Sequence, residues 1–381
     1  MNTLFICSEH LYNFKYLLIN LNEQVLDEGY KSYGLYRHIE LKNYKIGDNT
    51  IPFSNSFFYG KNYFNYNPQN KRSYFYNKYK FLKELNSAKK EVLEIIDSNN
   101  IQMVIVFDTF DIAVGVVASF RKSIPIHYIQ HSMIQAELEQ LTYRQRYDNY
   151  LSYFFCGFCI NRNTRKPPFN FKNINYVLWS ELWANNIDLN QYKIKFFPKM
   201  LNAKGEDISD GAGRNKIQNI LVILNKKRNI GKKNWISFAN FYKEYFNKSS
   251  YNNVTFKAHP SENIKFCKDN LKNFKVVKED LDIRDYDLVL SHWSTFIFES
   301  ALSNVPFILI NPKNLFSYKY WRLDHYPLIV SDIEKLDKII NEINDRKINI
   351  NKILSDFVLK SLGDRSLSSW NGLFRTIFYT K

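Results

Sequence analysis

Residues 286–312, YDLVLSHWSTFIFESALSNVPFILINP, set three hydroxyl side chains in the turn that follows a first apolar run. Asp287 to Leu290 is short, branched and apolar, which reads as a buried strand. Ser291, Ser294 and Thr295 follow, then an amphipathic helix pattern with Phe296, Ile297, Ala301 and Leu302 apolar and Glu299 charged. Asn304 closes that helix, and Pro306 opens a second buried strand, Phe307 to Ile310. Hydroxyls at a helix start cap some backbone N–H groups and leave others pointing outward, where the helix dipole favours an anion. A plain capped helix in an α/β sheet has the same residues, so the segment needs support from elsewhere.

Three more turns supply it. Asn219 to Leu224 reads as a strand followed by Asn225, Lys226, Lys227 and Arg228. Val254 to Ala258 ends in His259-Pro260, and Phe274 to Val277 ends near Glu279-Asp280. On one parallel sheet these turns share a rim carrying cations, an imidazole and hydroxyls. That set suits a phosphate or diphosphate and needs no metal. Glu299, about one turn into its helix, could reach a ribose diol. A Gly-rich phosphate fingerprint is missing, which argues against a P-loop or dinucleotide fold.

The first half repeats the pattern. Thr3 to Cys7, a helix over about Tyr12 to Glu28 ending at Gly29, and Lys31 to Arg37 make a β–α–β opening. A helix over Phe81 to Ser98 precedes a second unit: strand Met103 to Phe107, helix Asp111 to Phe120, strand Ile126 to Ile129. This unit presents Asp108 and His131 at strand C-terminal ends, with Glu137 and Glu139 just beyond. In open α/β sheets that edge faces the ligand crevice. A histidine near its neutral pKa suits a general base; a core histidine hydrogen-bonded at a strand end is the bland alternative. Asp108, Asp111 and Glu137 are candidates from the residues alone.

Residues 141–200 mix aromatic runs with Pro167-Pro168, Trp179 and Trp183, and the final strand of this half is expected near Asn175 to Leu178. The polar stretch 199–217, with three of the chain's 12 glycines, reads as a linker. The expected division is therefore 1–203, 204–360, and 361–381 as a C-terminal helix returning to the first domain. Helices are expected over Trp235 to Phe246, Ile333 to Ile343, Ile350 to Leu362 and after Asp364.

Composition narrows the partners. Lys plus Arg number 53 against 37 for Asp plus Glu, a formal net charge of +16, which favours polyanions: nucleic acid, an anionic membrane face, or phosphorylated and acidic sugars. Four cysteines make no disulfide framework, and the Cys156-x-x-Cys159 pair lacks the further ligands zinc needs, so both read as buried thiols. MNTLFICSEH has no basic stretch followed by a long apolar core, so it is not expected to be a signal peptide. Ile101 to Phe120 carries Asp108 and Asp111 mid-run, so it reads as strand then helix, not as a bilayer span. A cytoplasmic protein is expected. Residues 54–81 alternate aromatics with Lys, Arg and Asn. They read first as a long loop packed by its own rings, then as a sugar platform or lipid-headgroup surface, and last as a base-stacking groove.

Two α/β halves, a crevice and this rim resemble a GT-B glycosyltransferase: two Rossmann-like parallel-sheet domains facing a central cleft. The phrase FKAHPSEN is similar to the His-Pro motif of cytidine-nucleotide-dependent transferases of bacterial surface polysaccharides, among them sialyl- and polysialyltransferases, Kdo transferases and CDP-glycerol glycerophosphotransferases. In those proteins a later Ser-Ser or Ser-Thr pair holds the phosphate, and Ser294-Thr295 matches it. IPIHYIQHSMIQ resembles their strand followed by His-Gly, with Ser132 where glycine is usual. The resemblance implies that His259 contacts the donor phosphate or ribose, Ser294 and Thr295 bind phosphate, and His131 is a catalytic base in the facing domain. It implies an inverting, metal-independent glycosyltransferase with a CMP- or CDP-linked sugar as co-substrate and no other cofactor. The acceptor would be a capsule or lipopolysaccharide glycan, free or lipid-linked, met at the inner membrane face through a basic, aromatic surface. A UDP-sugar transferase or UDP-sugar 2-epimerase-like enzyme is the second reading. A basic nucleic-acid- or membrane-binding protein is the third; no nucleic-acid motif appears, so no nucleic-acid partner is expected.

Overall fold

The structure, a computed structural model, describes residues 1–7, 11–36, 45–46, 49–50, 53–59, 74–107, 111–130, 133, 143–157, 171–184, 191–199, 216–225, 227–251, 253–259, 262–279, 281–292, 294–364 and 369–379. The chain divides into two compact units, Met1–Asn202 with Gly363–Lys381, and Ala203–Leu362. The 199–217 stretch read as a linker lies, from 200 to 215, outside the described residues.

The first unit holds a seven-stranded parallel sheet. Its strands are β1 (Thr3–Cys7), β2 (Ser32–Tyr36), β5 (Asn55–Phe58), β6 (Met103–Val106), β7 (Ile126–Ile129), β8 (Ile174–Leu178) and β9 (Lys193–Phe196). Their order is β5-β2-β1-β6-β7-β8-β9, and every described pairing in the sheet is parallel. β3 (Lys45–Ile46) and β4 (Asn49–Thr50) pair separately as a short antiparallel ribbon. The central strands are buried end to end, the signature of a sheet covered on both faces. Helices α1 (Leu11–Asp27), α2 (Tyr74–Ser98), α3 (Ile112–Phe120) and α4 (Tyr143–Cys156) belong to this unit.

Two expectations are corrected here. The final strand is not Ile174–Leu178 but Lys193–Phe196, KIKF, a short edge strand whose charges hide it from any apolar pattern and also protect an open edge. Residues 54–81 are not one loop. Asn55–Phe58 forms the opposite edge strand, Tyr59 is wholly buried, and the following helix starts at Tyr74, not Phe81. Residues 60–73 lie outside the described residues.

The C-terminal helix α11 (Trp370–Phe378) packs into the first unit's core with Leu18, Leu21 and Val25 of α1 through Leu373, Phe374, Ile377 and Phe378. Tyr30 stacks on Phe378 at 6.4 Å. The chain enters this unit at Gly363, whose φ is +83° and where an added Cβ would meet the Trp179 carbonyl oxygen at 2.4 Å. Both constraints call for glycine.

The second unit holds six parallel strands: β10 (Asn219–Ile223), β11 (Asn253–Lys257), β12 (Lys275–Val277), β13 (Leu288–Ser291), β14 (Phe307–Ile310) and β15 (Ile329–Val330). Their order is β12-β11-β10-β13-β14-β15. Its helices are α5 (Lys227–Ile230), α6 (Lys232–Lys248), α7 (Ile264–Asn270), α8 (Phe296–Leu302), α9 (Ile333–Asn344) and α10 (Ile350–Leu362). α6 buries Trp235, Phe238, Ala239, Tyr242, Tyr245 and Phe246, a stripe at helical spacing. Phe246 and Phe274 pack against Phe256 of β11, which anchors that helix to the sheet. No described helix is long and apolar enough to cross a membrane.

Candidate functional site

In the second unit the chain starts at the centre with β10, moves out to β11 and β12, then returns to β13 on the other side. The strand order therefore reverses between β10 and β13, and ligands of open α/β sheets bind outside the strand C-termini at such a point. Register places Ile223, Lys257 and Ser291 side by side at that edge. The turns predicted to carry phosphate chemistry leave from these positions.

His259 follows β11 and is half-buried. Its carbonyl accepts the Glu262 N–H at 2.8 Å, which closes the turn; Pro260 lies outside the described residues. Glu262 is itself buried. Its carboxylate accepts the Lys227 N–H at 2.5 Å and the Asn263 N–H at 3.0 Å, so the turn after β10 is fastened to the turn after β11. Asn225 is buried, and its carbonyl accepts the Trp235 indole N–H at 3.0 Å. The Lys227 ammonium lies over the Phe266 ring of α7 at 4.2 Å. Arg228 sits in α5, its side chain outside the described residues, as is all of Lys226.

Across the reversal, β13 runs to Ser291 rather than stopping at Leu290, so Ser291 is a strand residue and wholly buried. Asp287 is not strand but anchor: its carboxylate accepts the Gln218 and Asn219 N–H groups at 3.0 and 2.8 Å. Of the two hydroxyls expected to cap α8, Ser294 does so, accepting the Phe296 N–H at 3.2 Å. Thr295 already has helical dihedrals and makes no capping bond, because a cap needs an extended backbone to turn its side chain back over the helix. Both are half-buried, and Glu299 is exposed one turn on.

Two rim residues were not singled out from sequence. Lys257 ends β11 and is only 7% exposed. Its ammonium donates to the Glu279 carbonyl at 2.6 Å, beyond β12, and lies 5.8 Å from the Phe296 ring at the start of α8. A buried cation thus bridges the ends of β11 and β12 and faces the ring that follows Ser294-Thr295. The visible signal was a lone charge closing the apolar strand NVTFK. His292 follows Ser291, is buried, and stacks on Phe238 at 4.1 Å. Burial pushes its imidazole down to about 3, so it is neutral near pH 7 and serves as packing. Asp280 lies outside the described residues.

In the first unit the strand order reverses between β1 and β6. Asp108, His131 and Glu137, expected at or beyond this edge, lie outside the described residues. Their anchors are described. Phe107 is wholly buried. Gln130, also buried, accepts the Trp179 N–H through its side chain at 2.9 Å and the Trp179 indole N–H through its carbonyl at 2.8 Å. Asp111 caps α3, accepting the Ala113 N–H at 2.8 Å, and also accepts the buried Tyr59 hydroxyl. Burial, reinforced by the Asp111 charge, pushes the Cys7 thiol far up, and burial raises Tyr36 likewise, so neither ionises near neutral pH. Cys156 is a buried thiol as expected, and Cys159 lies outside the described residues. Among the described residues no three His, Cys, Asp or Glu side chains are grouped to hold a metal ion.

No protein-family profile matches the chain, and no curated protein matches it in sequence. Solved structures match it in shape. MurG of Acinetobacter baumannii aligns with a TM-score of 0.54 at 10% identity, over 100% of this chain and 99% of MurG. The calicheamicin glycosyltransferase CalG4 gives 0.56 at 11%, over 100% and 99%. The UDP-GlcNAc 2-epimerase of Neisseria meningitidis, solved with UDP-GlcNAc bound, gives 0.56 at 11%, over 100% of both chains. At such identities the likeness is one of fold: two parallel-sheet α/β domains of GT-B type.

Proposed function

We propose that this protein is a glycosyltransferase that takes its sugar from a nucleotide-activated donor held by the second unit. The observation that supports the reading is the rim at the β10–β13 reversal, where buried Lys257, half-buried His259 and the Ser294 turn sit at the C-terminal ends of β11 and β13 in a GT-B fold. Fixed cations and hydroxyls of this kind stabilise a departing diphosphate or monophosphate without a metal. His259, Ser294 and Thr295 bind the donor phosphate, Glu299 the ribose, and Asn225 with Lys226, Lys227 and Arg228 the far side of the same charge. The first unit takes the acceptor, with His131 as the base that removes its hydroxyl proton and Asp108 or Glu137 as partners in that step. The His259-Pro260 and Ser294-Thr295 phrases favour a cytidine nucleotide, and the +16 charge favours an anionic capsule or lipopolysaccharide glycan, lipid-linked at the inner membrane face.

A second reading, a UDP-sugar 2-epimerase or UDP-sugar transferase, is favoured by the fold shared with the Neisseria epimerase over both whole chains. One screen separates them. Thermal shifts with CMP, CDP, UDP and GDP should be largest for the cytidine nucleotides, since a ligand bound only by the folded state raises its stability. A response confined to UDP, with sugar converted in the absence of any acceptor, would replace the transferase by the epimerase.

A further inference from the structure

Five of the nine large apolar side chains that are exposed among the described residues gather on one helix pair of the first unit. Tyr150, Tyr153, Phe154 and Phe155 of α4, and Tyr79 of α2, are each between 59% and 69% exposed. Tyr150 stacks on Phe154 at 6.5 Å, and Phe154 meets Phe155 edge-on at 5.0 Å, so these three rings of α4 form one surface. The other side of the described part of α4 packs on the protein. Ser152 and Cys156 are buried, the Cys156 thiol faces the Leu82 carbonyl at 3.7 Å, and the Lys89 ammonium caps the Cys156 carbonyl at 3.2 Å.

Those two contacts fix which flank of α2 meets α4. Leu82 and Lys89 lie on it, and helical spacing puts Tyr79, Lys83, Asn86 and Lys90 on the adjoining stripe. That stripe is exposed, as is Lys80 beside it. The exposed described positions from Tyr79 to Lys90 are Tyr79, Lys80, Lys83, Asn86, Ser87 and Lys90, three of them ammonium groups; the one carboxylate in the span, Glu84, is half-buried near Lys80. From Tyr150 to Gly157 the chain of α4 carries no charge at all.

We propose that this α2–α4 face docks on an anionic phospholipid surface, with the aromatic rings of α4 entering the headgroup layer and Lys80, Lys83 and Lys90 lying against the lipid phosphates. Protruding tyrosines and phenylalanines suit the boundary between headgroups and acyl chains. Lys80, Lys83 and Lys90 outnumber the partly exposed Glu84 beside them, an excess of positive charge complementary to an anionic leaflet, and the chain's +16 charge adds long-range attraction. The docking does not depend on which nucleotide the second unit binds.

The test is sedimentation of the full chain with vesicles of phosphatidylcholine alone or mixed with phosphatidylglycerol. Binding is expected for the mixed vesicles, falling steeply with salt. The triple substitution Tyr153→Ser, Phe154→Ser, Phe155→Ser should weaken it by about tenfold or more, and Lys80→Glu, Lys83→Glu, Lys90→Glu by about a hundredfold. Both variants should unfold at the parent temperature, since all six substituted side chains are exposed on a helix surface and none is in the core. Equal binding by parent and variants, or equal binding to neutral vesicles, would overturn the proposal. So would loss of self-association in the aromatic variant with vesicle binding intact, which would make a second copy of the chain the occupant.

Discussion

The Glu262 carboxylate accepts the Lys227 backbone N–H at 2.5 Å, joining the turn after β10 to the turn after β11 across the strand that starts the second unit. Its other oxygen holds Asn263 N–H, so one buried acid satisfies two helix-start donors that have no partner within their helices. Glu262→Ala leaves both unsatisfied. It should cost about 3 kcal/mol in the unfolding of this unit, from hydrogen bonds to a charged acceptor at 1.5–3 kcal/mol each. Glu262→Gln keeps an acceptor for one N–H and should cost about half as much. Chemical denaturation of both variants measures the difference; equal losses would mean that only packing matters there.

Lys257 and His259 are separable. Lys257→Met keeps the length of a buried chain while removing its charge, and should weaken nucleotide binding by about tenfold or more, a loss of about 1.4 kcal/mol or above. His259→Ala should abolish the nucleotide-induced thermal shift. EDTA should leave the parent's shift intact if, as proposed, hydroxyls and cations alone hold the phosphate. A shift that survives both substitutions, or that EDTA erases, would move the phosphate site elsewhere.

Stability should fall in acid. Burial holds His292 near 3, and burial with the Lys195 and Lys193 charges holds His127 near 4, against an ordinary imidazole value of 6.5. Between those values the unfolded chain binds a proton that the folded chain refuses. The stability is therefore complete above about pH 6.5 and is lost as pH drops towards 4, by about 1.4 kcal/mol per pH unit for each ring. His292→Phe preserves the stack on Phe238 and should remove one ring's share of the slope. An unchanged slope in urea titrations from pH 7 to 5 would show that His292 does not contribute.

Gly363 should tolerate nothing larger. Alanine there meets both a left-handed backbone and the Trp179 carbonyl at 2.4 Å, so Gly363→Ala should destabilise the first unit by about 2–3 kcal/mol. Gly29 is the control. Its φ is +73° with nothing within 4 Å of an added Cβ, so alanine there should cost only about 1 kcal/mol. Thermal melts of the two variants compare strain alone with strain plus collision.

The alternation of short apolar runs and amphipathic stretches was enough to establish a doubly wound α/β chain. Runs such as ILVI at 220–223 and FILI at 307–310 bury both faces of their strands and so are apolar without interruption. The same reading placed His259 and the hydroxyls of Ser294 and Thr295 directly after strand ends, because turn chemistry is local. What escaped it was everything fixed by partners distant in sequence. The edge strand Lys193–Phe196 has no apolar signature, since an edge is half solvated, and only its pairing with β8 makes it a strand. Tyr59 looked like loop aromatic surface but is wholly buried on Asp111, 52 residues on. Lys257 looked like an ordinary charge until the sheet set it beside Glu279 and Phe296. Sequence alone fixes the period of a segment and the chemistry of its turns, through forces acting over a few residues. Which turns share a rim, and which charge is taken out of water, is decided only when parallel strands pair across tens of residues and enclose the side chains between them.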